Sequence, residues 1–182
     1  LEKIDAVRFI SNYSSGKMGF ALAKVAAALE ADVVLISGPV SLKTPNNVRR
    51  VDVVSAKEML DAVNLEYSNT DIFIFAAAVS DFTPLSTFQG KIKKSNDNYH
   101  LTLPLKQTDD ILATIGLRKK DNQIVVGFAL ESNNELENAR KKLKEKNCDF
   151  IVLNSANKPN IGFQGDMNTI TILDKDGTLI NF

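Results

Sequence analysis

The stretch FISNYSSGKMGFA, residues 9–21, decides how the rest of the chain is interpreted. An apolar pair is followed by a polar turn and then by a run that is typical of a helix. Ser14 or Ser15 is expected to cap this helix by accepting hydrogen bonds from its free first-turn amides. Gly16 and Gly19 carry no side chain that would keep a ligand away from the helix N-terminus. Free amides and the helix dipole favour an anion here, so the stretch predicts a site for a phosphate or carboxylate group.

Asn12 lies in the same turn and adds a neutral amide donor. From spacing alone two interpretations stay open: a capped turn without a ligand, or part of a nucleotide-activating site. The turn is not a dinucleotide fingerprint, because the first glycine of G-x-G-x-x-G falls on Ser14 and the next strand ends in Ser-Gly-Pro rather than in an acid. A Walker-type phosphate loop is excluded, since no Gly-Lys-Ser or Gly-Lys-Thr occurs.

The composition is that of an ordinary folded domain, and its 182 residues are enough for a substantial core. The 22 basic residues balance the 22 acidic ones, so we expect neither a nucleic acid nor a membrane as partner. No apolar run approaches the roughly 20 residues of a membrane helix, and the first residues do not resemble a signal peptide. The single cysteine, Cys148, fits a reducing compartment, so we expect a cytoplasmic protein.

Strands and helices are predicted to alternate along the chain. This pattern favours one α/β domain over residues 1–182, with a Rossmann-like, mainly parallel sheet, helices on both faces and a β-ribbon flap. The expected helices are 18–29, 55–67 with Ser55 and Glu58 as a capping box, 110–117 with Asp109 or Asp110 as cap, and 134–146. The expected strands are 33–36, 48–54, 72–79, 124–128 and 150–153, followed by a hairpin over 169–182. The flap is expected over 82–106, with its ribbon at 99–103.

Candidate binding residues lie where the predicted strands end, which is the edge that binds ligands in such sheets. Asp81 follows the strand 72–79 and either caps the next turn or contacts a ligand. Phe128 ends the strand 124–128, where a core position is favoured over a ring that stacks on a base.

Two groups of lysines are also open to two interpretations. Lys91, Lys93 and Lys94 are either a solvated charge run or a phosphate clamp, and the alternation Lys91-Ile92-Lys93 would turn two of them to one side. Lys142 and Lys146 are four residues apart on a predicted helix and either complement its C-terminal dipole or reach a ligand.

The sequence does not predict a catalytic triad or a zinc site. His100 is the only histidine and lies in the expected ribbon, and no His, Cys, Asp and Glu cluster has zinc-ligand spacing. We expect Cys148 to be a packed thiol. The metal that we expect is Mg²⁺, carried mostly by the phosphates of a substrate.

Seven motifs occur in order: VRFISNYSSGKMGFALA, LISGPV, FAAAVSDF, KIKK, DDIL, VVGFALES and ARKKLKEKNCDFIVLN. Together they closely resemble the phosphopantothenate–cysteine ligase (phosphopantothenoylcysteine synthetase) family of the bacterial type, over nearly the whole chain. In many bacteria this ligase is the C-terminal half of a bifunctional coenzyme A biosynthesis protein. The resemblance implies that 4′-phosphopantothenate is joined to L-cysteine through an acyl-cytidylate made from CTP, with release of pyrophosphate and CMP. It also implies Mg²⁺ with the CTP, a homodimer, and a fused or partner flavin-dependent decarboxylase domain, with no flavin in this stretch.

The resemblance also assigns roles to residues of this chain. It implies that Asn12 holds the acyl-cytidylate, that Lys91 neutralises the nucleotide phosphates, and that Lys142 and Lys146 reach the anionic part of the nucleotide. The other residues expected around the nucleotide are Ser14, Ser15, Gly16, Phe75, Ala76, Ala77, Asp81, Thr108, Asp109, Asp110, Ile111 and Phe128.

Two departures from the family pattern limit this assignment. Ala6 stands where the family usually has proline, and the strand and Gly-rich turn that family members carry upstream of Asp5 are missing from the sequence, as is a C-terminal helix. If the sheet lacks that strand, exposed strand edges are expected. A Rossmann-type NAD(P)-dependent oxidoreductase and a non-catalytic nucleotide-binding module remain as alternatives.

Overall fold

Strands and helices alternate along most of the described chain, which confirms the α/β class. The computed structural model describes residues 1–93, 100–131, 133–155 and 169–181. In chain order the elements are β1 (Glu2–Lys3), β2 (Phe9–Ile10), α1 (Lys17–Ala28), β3 (Val33–Ser37), β4 (Val48–Asp52), α2 (Ala56–Glu66) with a following 3-10 turn (Tyr67–Asn69), β5 (Ile72–Phe75), β6 (Phe82–Pro84), β7 (Leu105–Gln107), α3 (Ile111–Arg118), β8 (Ile124–Glu131), α4 (Glu135–Glu145), β9 (Phe150–Ser155), β10 (Ile170–Asp174) and β11 (Leu179–Asn181).

Five strands form the largest sheet, in the order β11-β10-β9-β8-β5. The strand β8 pairs in parallel with β5 and β9, whereas β10 and β11 add to β9 in antiparallel fashion. Gly127 of β8 lies between Phe75 and Ile151 in this register. Because parallel strands end at the same edge of a sheet, β5 and β8 deliver the segments that follow them to one place.

The strands β3 and β4 form a separate parallel pair, against which α1 packs. In the described residues no hydrogen-bonded ladder joins β3 to β5, so β5 ends the larger sheet. Its Ile72 and Ile74 side chains are 55% and 46% exposed. Within the described ranges, the outer backbone edge of β5 is thus unpaired.

The main core lies where α3 and α4 pack on β8 and β9. Ile115, Val125, Ile151 and Leu173 are its largest fully buried side chains. The two helices approach each other so closely that a Cβ atom on Gly116 would lie 1.8 Å from the carbonyl oxygen of Lys146. Glycine is required at this position because a backbone atom occupies the space of any side chain.

The predicted helix caps of α2 and α3 are confirmed. Ser55 Oγ accepts the amide hydrogen of Glu58 at 3.2 Å, and Glu58 in turn accepts from the amide of Val54 at 2.9 Å. Asp110, not Asp109, caps α3: its Oδ1 accepts from the amide of Ala113 at 2.8 Å.

The predictions for the third buried strand and for the ribbon are wrong. The third buried strand ends at Phe75 rather than at residue 79. The described part of the expected ribbon, residues 100–103, forms no strand, and Leu101 is 58% exposed. The flap instead pairs β6 with β7, with Phe82 opposite Gln107. Tyr99 and residues 156–168, which include Gly162 and Gly165, lie outside the described residues.

Among the described residues, no helix combines the length and the apolar character that crossing a membrane requires.

Candidate active site

The N-terminus of α1 faces the polar turn that the sequence singled out. Gly16, rather than Ser14 or Ser15, is the N-cap residue, with a left-handed φ of 78°. The prediction of a serine cap is therefore wrong: only Ser15 comes close, its Oγ accepting from the amide of Lys17 at 3.4 Å. A Cβ on Gly16 would lie 3.1 Å from Val40, so both the backbone angle and the close neighbour favour glycine.

Asn12 is held at both ends of its amide group. Its Oδ1 accepts from the backbone amide of Ser14 at 2.9 Å, and its Nδ2 donates to the carbonyl oxygen of Ala78. An asparagine amide nitrogen carries two hydrogens, so this fixed orientation leaves one for a ligand. The turn before α1 is thereby joined to the segment that follows β5.

That segment, residues 76–79, passes directly beside α1. A Cβ on Gly19 would lie 3.9 Å from the Ala76 side chain, which is ordinary van der Waals contact. Phe75, just before it, pairs with Gly127 and stacks on Phe73 with ring centroids 6.2 Å apart. Of the predicted residues, Ala76 therefore lies beside α1, and Phe75 lies where β5 pairs with β8.

Asp81 and Thr108 meet across the base of the flap. The Thr108 hydroxyl donates to the carbonyl oxygen of Ser80 at 2.6 Å, and the Thr108 amide donates to that of Asp81 at 3.0 Å. Both Asp81 and Asp109 are exposed. These contacts bring the predicted residues after β5 together with those before α3.

Lys146 forms an ion pair with Asp110, the cap of α3, with 2.8 Å between Nζ and Oδ2. Partial burial acts to raise the pKa of Asp110, but the Lys146 ammonium and the Ala113 amide outweigh it and lower that pKa. The hydrogen bond to Asp110 raises the pKa of Lys146. Lys142 donates to the carbonyl oxygen of Phe128 at 2.7 Å. Each predicted lysine thus contacts another predicted residue. Phe128 lies within β8, which continues to Glu131, so the prediction that this strand ends at Phe128 is wrong.

Lys91 is exposed and lies on a segment that is tied to the hairpin before Asn12. The amide of Ala6 donates to the carbonyl oxygen of Gly90 at 3.2 Å, and the amide of Ile92 donates to Asp5 at 3.0 Å. Lys93 is also exposed, and Lys94 lies outside the described residues.

The sequence reasoning missed Asp5 and Ser80. Asp5 accepts hydrogen bonds from the flap segment, and Ser80 accepts through its carbonyl and donates its hydroxyl to Phe82. The contacts that join these residues to distant parts of the chain, Asp5 to Ile92 and Ser80 to Thr108, are not visible in the sequence. A clue to Asp5 was its place three residues before Arg8, with which it pairs.

No group of three or more His, Cys, Asp and Glu side chains that could hold a metal is found within the described ranges. Cys148 is buried in the core, as predicted, and burial raises its pKa to about 11. The thiol is therefore protonated at neutral pH and is not poised to react as a thiolate.

The sequence profile of one family, described as the DNA/pantothenate metabolism flavoprotein C-terminal domain, matches residues 1–182. The chain belongs to this family. It is 50% identical over its whole length to a cysteine/cysteine sulfinic acid decarboxylase of an unknown prokaryotic organism. It is also 49% identical, over 97% of its length, to the coenzyme A biosynthesis bifunctional protein CoaBC of Bacillus subtilis strain 168. The chain spans 50% and 43% of these two relatives, respectively.

A crystal structure of the C-terminal domain of CoaBC is similar to this DNA/pantothenate metabolism flavoprotein C-terminal domain, with a TM-score of 0.81 and 42% identity. The match covers all of this chain and 80% of that one. It confirms the resemblance to the C-terminal part of a bifunctional coenzyme A biosynthesis protein that the ordered motifs predicted.

Proposed function

We propose that this chain carries phosphopantothenate–cysteine ligase activity and uses CTP. The observation that carries the proposal is the match of the whole chain to the C-terminal domain of CoaBC. One sequence relative is named for a decarboxylase reaction, and the other for a role in coenzyme A biosynthesis without naming a reaction, so the two names alone do not choose the activity. The predicted site supports the ligase, because a helix N-terminus, an oriented amide and lysines suit an anionic substrate that needs activation.

In the first half-reaction, a carboxylate oxygen of 4′-phosphopantothenate attacks the α-phosphorus of CTP. The bond to the leaving phosphate breaks, and pyrophosphate departs. A carboxylate is already an adequate nucleophile, so the protein has to neutralise charge and align the groups rather than remove a proton. We assign the charge neutralisation to Lys91, with Mg²⁺ arriving on the phosphates of CTP as part of the substrate.

In the second half-reaction, the amine of cysteine attacks the acyl carbon, an amide bond forms, and CMP leaves as the acyl–oxygen bond breaks. We assign the remaining amide hydrogen of Asn12 to the oxygens of the acyl-cytidylate. The contacts to Ser14 and Ala78 support this role, because they fix the amide before a ligand arrives. Such preorganisation is what makes a donor effective in a transition state.

We place the nucleotide along the remaining predicted residues. Gly16 and the first turn of α1 would face the phosphates, together with Ser14 and Ser15. Asp81, Thr108, Asp109 and Asp110 would line the base and ribose, with Phe75, Ala76, Ala77, Ile111 and Phe128 around them. Lys146 holds Asp110, so we assign to this lysine the shaping of the pocket together with its contact to the anion.

The proposal includes a homodimer, a fused or partner flavin-dependent decarboxylase domain, and a cytoplasmic setting where CTP is available. A NAD(P)-dependent oxidoreductase is the weaker candidate. The strand β3 ends at Ser37, whose hydroxyl donates to the carbonyl oxygen of Gly38 at 2.9 Å, and offers no carboxylate for a ribose.

The test is a coupled pyrophosphate assay on the full-length protein, with mass detection of phosphopantothenoylcysteine. We expect pyrophosphate only when CTP and 4′-phosphopantothenate are both present, and the amide product only when cysteine is added. Nucleotide binding without pyrophosphate would instead indicate a non-catalytic module. A change in NAD(P)H fluorescence on binding would favour the oxidoreductase.

A further inference from the structure

Asp5 is a fully buried carboxylate outside the residues assigned to the reaction, and it accepts an unusual number of hydrogen bonds. Its side chain is 0% exposed. Its Oδ1 accepts from the amides of Val7 and Arg8 at 2.8 and 2.7 Å. Its Oδ2 accepts from Arg8 Nε at 3.0 Å and Nη2 at 2.6 Å, and from the amide of Ile92 at 3.0 Å.

These contacts fall into two groups. Those to Val7 and Arg8 are local and stabilise the turn between β1 and β2, as a short polar side chain often does. The contact to Ile92 is different, because it spans 87 positions of the chain and ends next to Lys91. A turn alone would not need it.

The backbone on both sides of Lys91 is tied to the same turn. On one side the carbonyl oxygen of Gly90 accepts from the Ala6 amide at 3.2 Å. On the other side the amide of Ile92 donates to Asp5, and its carbonyl oxygen accepts from Arg8 Nη2 at 2.7 Å. Lys91 is therefore the one residue between two anchored neighbours.

The turn leads through β2 directly to Asn12, which is only two residues beyond the strand. A single short hairpin thus anchors the segment of Lys91 and also carries Asn12. The carboxylate of Asp5 stays charged at neutral pH, because the Ile92 amide, together with the Val7 and Arg8 donors, outweighs burial and holds its pKa well below the usual range.

We propose that Asp5 is a positioning residue that sets where Lys91 stands relative to Asn12, and so supports the formation of the acyl-cytidylate. This inference rests on the proposed ligase function. A displacement of about 1 Å at a reacting centre can cost about 100-fold in rate, so the loss of one backbone anchor is enough to matter.

The test is single-turnover formation of the acyl-cytidylate in the full-length protein, with Asp5→Asn, Lys91→Gln and the double variant. Asparagine retains one oxygen for the turn but presents an amide where the Ile92 amide needs an acceptor. We expect Asp5→Asn to slow this step by about 10- to 100-fold. In the Lys91→Gln background the same change should cost less than about twofold, because the residue that it positions is already gone.

The matched control is Asp149→Asn. Asp149 is likewise a largely buried carboxylate in an ion pair, with Lys119 at 2.7 Å, and it accepts from the amide of Val125 at 2.8 Å. It directly precedes β9, so it lies at the end of the parallel strands opposite to their carboxyl ends. We expect this control to lower the melting temperature. At temperatures where the variant is folded, the rate of the first half-reaction should be unchanged.

If Asp5→Asn does not fold, Ile92→Pro gives the same test, since proline removes the amide hydrogen and leaves the turn intact. Hydrogen exchange supplies a readout that does not depend on activity: in Asp5→Asn the amide of Ile92 should exchange at least about 10-fold faster while those of β8 stay unchanged. If the wild type is active, two results would overturn the role of Asp5 while leaving the proposed function intact. One is an unchanged first half-reaction in Asp5→Asn or Ile92→Pro, and the other is additive losses in the double variant. A wild type that releases no CTP-dependent pyrophosphate would overturn the proposed function, and the role of Asp5 with it.

Discussion

Lys146 and Asp110 form an ion pair, with 2.8 Å between Nζ and Oδ2, that joins the end of α4 to the first turn of α3. The other carboxylate oxygen of Asp110 accepts from the Ala113 amide and caps α3. One side chain therefore stabilises a helix start and fixes a lysine beside the proposed nucleotide pocket. Stability and ligand binding should be affected together when it is changed.

Two substitutions of Asp110 should separate the contribution of the helix cap from that of the ion pair. Asp110→Ala removes both the cap and the ion pair and should lower the free energy of unfolding by about 1–2 kcal/mol. Asp110→Asn keeps a capping oxygen and should cost less than about 1 kcal/mol, since the pair is partly exposed. Urea denaturation measures both. Ser55→Ala, which removes the cap of α2, is the control: it should lower stability similarly but leave CTP affinity unchanged. Weaker CTP binding in Ser55→Ala would show that affinity follows stability and not the pair.

The Asp110 pair also predicts a pH dependence. Because its folded-state pKa is lowered, Asp110 contributes stability above its unfolded pKa of about 3.9, and loses that contribution as pH falls through the folded value. The difference in stability between wild type and Asp110→Asn should therefore be full at pH 7, begin to shrink near about pH 4, and vanish only once the pH lies below the folded-state pKa of Asp110. Urea titrations across this range test the prediction, and a constant difference would contradict it.

Asn12→Ala should slow turnover by about 10²–10³-fold while CTP affinity changes little, because the amide donates to the acyl-cytidylate rather than to the bound nucleotide. Steady-state kinetics and CTP titration measure the two quantities separately. Asn64→Ala is a suitable control, since Asn64 contacts Arg118 and lies on α2, away from the site. Near-normal turnover of Asn12→Ala would leave Asn12 with a structural role only.

Lys91→Gln should depress the first half-reaction by about 100-fold, equivalent to about 3 kcal/mol of transition-state stabilisation. A lysine that meets the phosphates with water largely excluded is expected to act strongly and at one position. Lys94→Gln should have a much smaller effect. Single-turnover measurements at low and high salt test this, because a diffuse basic patch predicts similar small losses for both variants that added salt erases.

Gly116→Ala should destabilise the protein by about 1–3 kcal/mol or more, since the new Cβ would lie 1.8 Å from a backbone oxygen of Lys146 and force α3 away from α4. Gly38→Ala is the matched control, because nothing lies within 4 Å of the position of its Cβ. Thermal unfolding of the two variants provides the comparison. Equal melting temperatures would mean that the two helices can separate at little cost.

Local sequence signals predicted the parts of the fold that depend on neighbours in the chain. The capping box of Ser55 and Glu58 is such a case, as is the capping of α3 at Asp110. The wrong prediction of a serine cap for α1 is a local exception, because Gly16 takes the N-cap position. The wrong strand predictions depend on distant partners. The alternation near Leu101 suggested a strand, but a strand needs a partner to pair with, and β6 pairs with β7 instead.

In the candidate site, too, local features could be predicted from the sequence and long-range contacts could not. The turn at Asn12 was recognisable because it combines residues that suit a helix N-terminus. That its amide is fixed by the Ala78 carbonyl, and that Asp5 supports the segment of Lys91, could not be predicted, because each contact joins residues that are more than 60 positions apart.

The open edge of β5 sets a practical condition for work with an isolated sample of residues 1–182. Its exposed isoleucines, Ile72 and Ile74, sit on a strand whose outer backbone groups have no ladder partner among the described residues. Such an edge can add a strand from another molecule. Concentrated preparations should therefore self-associate and become turbid with time, and a lysine at position 74 is the substitution that should keep them clear.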